Sequence, residues 1–258
     1  MQAARVSYGR GTRRTTEDRG LIRYLMRHWH STPFEMCEIK LHVKLPIFVA
    51  RQWIRHRMAN VNEYSARYSI LDREFYLPDR EQLAVQSSSN RQGRGDALVP
   101  DEADEVLRIL REDSERSYAH YQWMLNDADS EDNDPNRAGV SRELARIGLS
   151  LATYTQWYWK VDLHNLFGFL RLRADAHAQY EIRVYAELIL DIVRRWVPMA
   201  HEAFVDYRLN AVSLSAGDVA VMQRALLGET VTAENSGLSA REWAELNSRF
   251  NLERTSST

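Results

Sequence analysis

An α+β fold is what this chain predicts, a central antiparallel or mixed sheet flanked by long helices, and three patterns carry that reading. Residues Glu38–Leu45 alternate strictly. Ile39, Leu41, Val43 and Leu45 fall on one side and Glu38, Lys40, His42 and Lys44 on the other, the two-residue period of a half-buried strand. Residues 151–161 are rich in Thr, Tyr and Trp, side chains that suit a pleated surface. Elsewhere apolar residues recur at helical spacing, and the strands do not alternate with helices as a βαβ series requires.

Taken in order, residues 15–30 predict a helix. Thr15 or Thr16 caps its start, and Leu21, Ile22, Leu25 and Trp29 form one apolar stripe. After the first strand, Pro46 suits the first turn of a helix carrying Ile47, Ala50 and Ile54 on its inner face. Residues 60–68 are polar and read as a loop, because Asn and Ser bond readily to nearby backbone. Residues 86–100 read as a second loop. Pro100-Asp101 then opens a long helix to about Leu125, with Leu107, Leu110, Tyr118 and Tyr121 at helical spacing. The acidic stretch 127–136 reads as solvated loop, and Ser141 as the cap of a short helix containing Arg146. Two helices follow the second strand, over 163–172 and 175–196. The latter presents Ile182, Tyr185, Ile189, Ile192, Val193 and Trp196. From about residue 211 the tail reads as an appendage in which Ser239 and Glu242 form a capping-box pattern before Trp243.

With 258 residues, 44% of them hydrophobic, the chain can build a core without a disulfide or metal staple. Cys37 is its single cysteine, which excludes an internal disulfide and a thiolate zinc cluster. The eight histidines lack metal-ligand spacing, so no metal is expected. No apolar run approaches a membrane span, and residues 1–18 lack a signal core, so a cytoplasmic protein without a membrane partner is expected. A net charge of −2 argues against a globally basic nucleic-acid binder. Isolated glycine pairs at 9–11 and 93–95 make neither a dinucleotide fingerprint nor a phosphate loop.

Charge is nevertheless uneven. Between Lys40 and Arg73 the basic residues are Lys40, Lys44, Arg51, Arg55, Arg57, Arg67 and Arg73, against Glu63 and Asp72 alone. Arginines near a strand–helix junction need an anion if they are desolvated. Gln52, Arg55 and His56 share one helical face, which offers amide, guanidinium and imidazole together and suits a phosphate bearing a polar ring. The alternative is a solvated basic face with local salt bridges, and spacing alone leaves both open.

Arg55-His56-Arg57, followed after a gap by Ser65-Ala66-Arg67, resembles the signature of the flavin-dependent thymidylate synthases. Further blocks stand in that family's order: Ala3–Tyr8, His30–Glu35, Ala50–Arg55, Asn62–Tyr68 and Leu172–Asp175. Five ordered blocks over residues 2–208 are far more specific than Arg-His-Arg alone. The resemblance implies one catalytic domain over 1–210, with 211–258 a helical extension of unknown role. It implies reductive methylation of dUMP to dTMP. Methylenetetrahydrofolate gives the carbon, FAD relays the hydride and NADPH reduces the flavin, in homotetramers whose sites lie between subunits. For dUMP it implies Gln52, Trp53, Ile54, Arg55, Glu63, Tyr64, Ser65, Ala66, Arg67, Arg146 and Arg173. For FAD it implies Ser7, Thr32, Arg55, His56, Arg57, Glu63, Asp162, Leu163, His164 and Gly168. Some members carry Asn, Arg and Asn where this chain has Asp162, His164 and Gly168, and the family's usual N-terminal strand is expected to be missing. Arg173 is implied as the catalytic residue, its permanent charge stabilising the uracil anion and pushing electron density toward carbon 5. Ser65 is expected to hydrogen-bond the nucleotide rather than attack it, since no base adjoins it in sequence. Cys37 and His177 are expected to pack or cap, and a cysteine-dependent, flavin-free synthase is the rival that Cys37 would have to serve.

Overall fold

The computed structural model describes residues 2–5, 15–88, 93–130 and 133–252, and the chain divides at Leu209/Asn210 into two units. Among the described residues the first unit holds two sheets. Strands β1 (Glu38–Pro46), β2 (Ala59–Glu63) and β5 (Tyr154–Asp162) form the central one in the order β1-β5-β2, and β3 (Ala84–Gln86) pairs with β4 (Arg94–Ala97) as a hairpin. All pairings are antiparallel. The register sets Ile39 against Val161, Leu41 against Trp159 and Val43 against Trp157, so the apolar set of β1 and that of β5 share one face. Trp157, Trp159 and Val161 are buried there.

Strand β2 corrects the loop expected at 60–68. Its residues have poor strand propensity, but β5 offers an edge, and pairing Ala59 with Val161 through Glu63 with Trp157 satisfies their backbone groups. The hairpin β3–β4 likewise replaces part of the loop expected at 86–100.

The helices of the first unit are α1 (Gln2–Arg5), α2 (Thr15–Arg27), α3 (Thr32–Glu35), α4 (Ile47–Trp53), α5 (Pro100–Leu125), α6 (Arg142–Ala145), α7 (Leu163–Arg173), α8 (Tyr180–Trp196) and α9 (Pro198–Phe204). Helix α2 ends before Trp29, which leaves the expected stripe. Its backbone is left-handed (φ 62°) and its side chain is 66% exposed, while Ile22 and Met26 carry the burial. Helix α4 begins after Pro46, which acts as its N-cap, so the inner face shifts to Val49, Ala50 and Trp53, and Ile54 is 37% exposed. On α5 the buried side chains are Ala103, Ser114, Tyr118, Tyr121 and Leu125, with Leu110 exposed. Arg146 lies just past α6, in a 3-10 turn over Arg146–Gly148. Helix α8 starts at Tyr180 rather than 175, because Asp175 turns back to accept from the His177 backbone N–H at 2.8 Å. Trp196 at its end is exposed.

Trp53 is the hub of the core. Its indole stacks on Phe169 with centroids 4.7 Å apart and meets Trp159 (5.1 Å) and Trp157 (5.9 Å) edge-on. A smaller cluster joins Tyr118, Tyr121, Leu125 and Ala145. A buried carboxylate ties the hairpin to α8: Glu181 accepts from Arg94 (2.6 Å), Gln179 (2.9 Å) and Tyr76 (3.0 Å). Burial pushes its pKa up, but these hydrogen bonds outweigh burial and hold it below the usual carboxylate value.

The second unit contains α10 (Ala216–Leu226) and α11 (Ala240–Phe250) around Val221, Val231, Trp243 and Leu246. Reciprocal capping boxes open both helices, Ser215 with Asp218 and the expected Ser239 with Glu242. Among the described residues no helix is long and apolar enough to cross a membrane.

Candidate functional site

The basic segment sorts itself by partner. Lys44 pairs with Glu74, Arg67 with Glu143 (3.0 Å) and Arg73 with Glu115 (2.6 Å), all exposed pairs of small energetic value. Arg51, Arg55 and Arg57 are exposed and have no carboxylate partner among the described residues. Local salt bridges therefore account for part of the positive charge and leave the end of α4 cationic. Beside these arginines, Gln52 holds its Oε1 buried without a donor. A buried acceptor left unpaired costs about 1–3 kcal/mol.

His56 follows α4, and across from it Arg173 ends α7. Arg173 Nε donates to His56 Nε2 at 3.1 Å. Burial and the Arg173 charge both hold the imidazole below its ordinary pKa, and burial also lowers that of Arg173. Neither carboxylate near Arg173 in sequence pairs with it: Asp175 serves His177 and Glu181 serves Arg94.

A second group forms at the far end of β2. Glu63 Oε1 accepts from the Thr155 hydroxyl at 2.8 Å, and the Tyr64 backbone N–H donates to Gln156 O at 2.8 Å, which fixes the chain leaving the strand. The Ser65 hydroxyl accepts from the Arg67 backbone N–H at 3.3 Å. Arg142 donates to Tyr68 O at 2.9 Å, so α6 docks on this turn and brings Arg146 beside it; Arg146, Arg142 and Tyr64 all act electrostatically on Tyr121. Burial is the main reason that the Tyr121 phenol pKa is raised.

The structure thus joins His56 to Arg173 just before β2 begins, with Arg55 and Arg57 flanking His56 in sequence, and sets Glu63 at the end of β2 with Tyr64, Ser65 and Arg67 following it. A strand of this length separates them by roughly 13 Å at about 3.3 Å per residue. Trp53 is fully buried and Ala66 buried, so neither side chain faces solvent, whereas Ile54 does.

A cavity of about 270 Å3 opens next to α7, lined by His164 and Gly168 together with Trp29, His30, Arg171 and Arg208. Thr32 is exposed at the start of the adjoining α3. Asp162 and Leu163 have other work: Asp162 caps α7 by accepting from the Asn165 backbone N–H at 2.9 Å, and Leu163 is buried in the core. Ser7 lies outside the described residues. Sequence reasoning missed Trp29 and Arg208. The guanidinium of Arg208 sits 3.1 Å from the Trp29 ring centroid, a cation–π contact between residues far apart in the chain. The left-handed backbone at Trp29 is costly for a bulky residue and is the structural signal that marks it.

Cys37 is half-buried, and burial raises its thiol pKa, the reverse of an activated nucleophile. Among the described residues no group of three metal-ligating side chains converges.

The family described as "Thymidylate synthase complementing protein" matches residues 1–199. The chain is 67% identical over 246 residues to the flavin-dependent thymidylate synthase of Gluconobacter oxydans, covering 95% of this chain and 78% of that one. It is 66% identical over 244 residues to that of Ruegeria pomeroyi, with the same coverage, 95% and 78%. Among solved structures it resembles the UMP/dUMP methylase PolB from Streptomyces cacaoi bound with 5-Br dUMP, at a TM-score of 0.69 and 32% identity, covering 81% of this chain and 89% of that one.

Proposed function

The chain belongs to the flavin-dependent thymidylate synthase family, and on that premise we propose that it methylates dUMP to dTMP, with methylenetetrahydrofolate as carbon donor and NADPH as reductant. The observation that carries this reading is the arginine group at the end of α4, which has no carboxylate partner among the described residues and flanks His56, the acceptor of the Arg173 Nε–H.

Those residues suit an anionic nucleotide. A phosphate dianion meets Arg55 and the guanidiniums of the second group, while Gln52 Oε1 accepts from a ring or sugar donor. Arg173 lies against the uracil amide, where its charge stabilises the anion formed when the 3-nitrogen loses its proton. That raises electron density at carbon 5, the atom that must attack. Ser65 hydrogen-bonds the nucleotide in this reading rather than attacking it, since no base adjoins it in sequence.

The donors also fit FAD, the resident cofactor of this reading. Arg55 and Arg57 neutralise a pyrophosphate, and His56, Thr32, Glu63, His164 and Gly168 hold the remainder, with Asp162 and Leu163 keeping the start of α7 in place. When bound, FAD relays the hydride from NADPH to the transferred carbon. In this reading, which follows the family resemblance, the site is shared between protomers of a cytoplasmic homotetramer.

Purification followed by an NADPH- and folate-dependent dTMP assay, with and without added FAD, tests the reading. A yellow protein that releases FAD on denaturation and forms dTMP is expected. A colourless protein that binds RNA in a steeply salt-dependent manner overturns it. Cys37→Ala is expected to turn over at the unaltered rate, since its thiol stays protonated near neutral pH. Loss of turnover with folding intact, read by circular dichroism, would revive a cysteine-based mechanism.

A further inference from the structure

We propose that His56 is a positioning residue for Arg173, a role that rests on the thymidylate synthase reading and goes beyond it. The neutral imidazole, protonated on Nδ1, holds the guanidinium by its Nε edge and leaves the terminal fork directed at the nucleobase.

The chemistry of the contact dictates the protonation state. Arginine has only donors and keeps its charge, so its Nε–H must donate. The recipient, His56 Nε2, stands 3.1 Å away and must carry a lone pair. The ring is therefore neutral and its proton sits on Nδ1. Protonation at Nε2 would set two donors against each other and release Arg173.

The surroundings support that state. From α7 the charged neighbour is Arg173 itself. From its own segment Arg57 lines the same pocket of about 240 Å3 as His56, while β5 contributes Trp159 and Val161, and among the described residues no carboxylate lines that space. Burial and the charge of Arg173 both disfavour imidazolium. The ring is also fixed in place: it stands edge-on to Phe169 at 5.0 Å and 78°, one turn before Arg173 on α7, and its backbone N–H donates to Trp53 O at 3.0 Å. Imidazole and guanidinium are thus locked to the same helix turn. Of the five guanidinium N–H groups, Nε takes one and the fork keeps four, which is what two-pronged recognition of a planar ring edge requires.

The test compares the full-length protein with His56→Gln and His56→Leu, with turnover normalised to bound flavin. Gln places an acceptor oxygen near Nε2, and Leu fills the space without one. We expect His56→Leu to lose on the order of 100-fold in kcat per flavin, with the KM for dUMP within about threefold, and His56→Gln to retain at least about tenfold more turnover than His56→Leu. Equal loss in both variants, or normal turnover of flavin-loaded His56→Leu, overturns the proposal. A second readout needs no turnover: in 15N-histidine-labelled protein, the His56 signal, assigned by its absence from His56→Gln, should show a protonated Nδ1 and a bare Nε2. The opposite tautomer overturns the proposal even if His56→Leu fails to fold. An unaltered protein that forms no dTMP would instead sink the enzyme reading and leave the tautomer result to stand or fall alone.

Discussion

Arg173→Ala should lose at least roughly 10²–10³ of its dTMP turnover, the range that follows removal of one preorganised charge-stabilising donor, while its FAD stays bound. The structure removes the competing explanation for this residue. A surface arginine on a helix end commonly serves an ion pair with a neighbouring carboxylate. Here Asp175 is occupied by His177 and Glu181 by Arg94, Gln179 and Tyr76, so Arg173 keeps its charge available. Its hydrogen-bond partner among the described residues, the His56 nitrogen, carries no negative charge to offset it. Flavin retention follows because Arg55, Arg57, His164 and Gly168 remain. Arg173→Lys should not restore the rate, since an ammonium lacks both the Nε edge that His56 holds and the planar fork. The measurement is dTMP formed per bound flavin. Near-normal formation by Arg173→Ala would falsify the role assigned to this residue.

Much of the frame was legible from local pattern. Strand β1 announces itself by strict alternation, and the aromatic run 154–162 by residue type, because both strands bury one face. The Ser239–Glu242 box is a purely local device, and it is present as read. What local pattern missed was set by distant partners. Asn60 and Asn62 belong to a strand only because β5 supplies an edge. Trp29 fits a helical stripe by spacing, yet the helix ends at Arg27 and the indole turns out toward Arg208, 179 positions later. The candidate site divides in the same way. The segment Arg55-His56-Arg57 is visible as a motif. That its arginines lack carboxylates, that Gln52 buries an unpaired oxygen, and that His56 meets Arg173 across 117 positions are facts of packing. Glu63 and Ser65 stand near the motif in sequence but at the opposite end of β2, because the intervening residues are extended.

Trp53→Ala is expected to cost about 3–5 kcal/mol of stability, the upper range for truncating a large core side chain. Trp53 has 0% exposure, and its indole touches each layer of the core: Trp157 and Trp159 from β5, Phe169 from α7 and Tyr185 from α8. Truncation leaves a cavity where the sheet meets two helices, and rings on three elements cannot all collapse into it. The indole N–H contributes little to that loss, because it meets no hydrogen-bond acceptor among the described residues. Trp53→Phe should therefore lose markedly less than Trp53→Ala, keeping an aromatic face against Phe169 and giving up only area. Urea unfolding midpoints on the two variants measure the difference; an alanine variant within about 1 kcal/mol of the unaltered chain would show that α4 is not anchored through this residue. The consequence reaches the site, since Gln52 and Arg55 flank Trp53 on the same short helix and its end. Flavin affinity should accordingly fall in Trp53→Ala more than in Trp53→Phe, although the indole is buried in the core and cannot touch the cofactor.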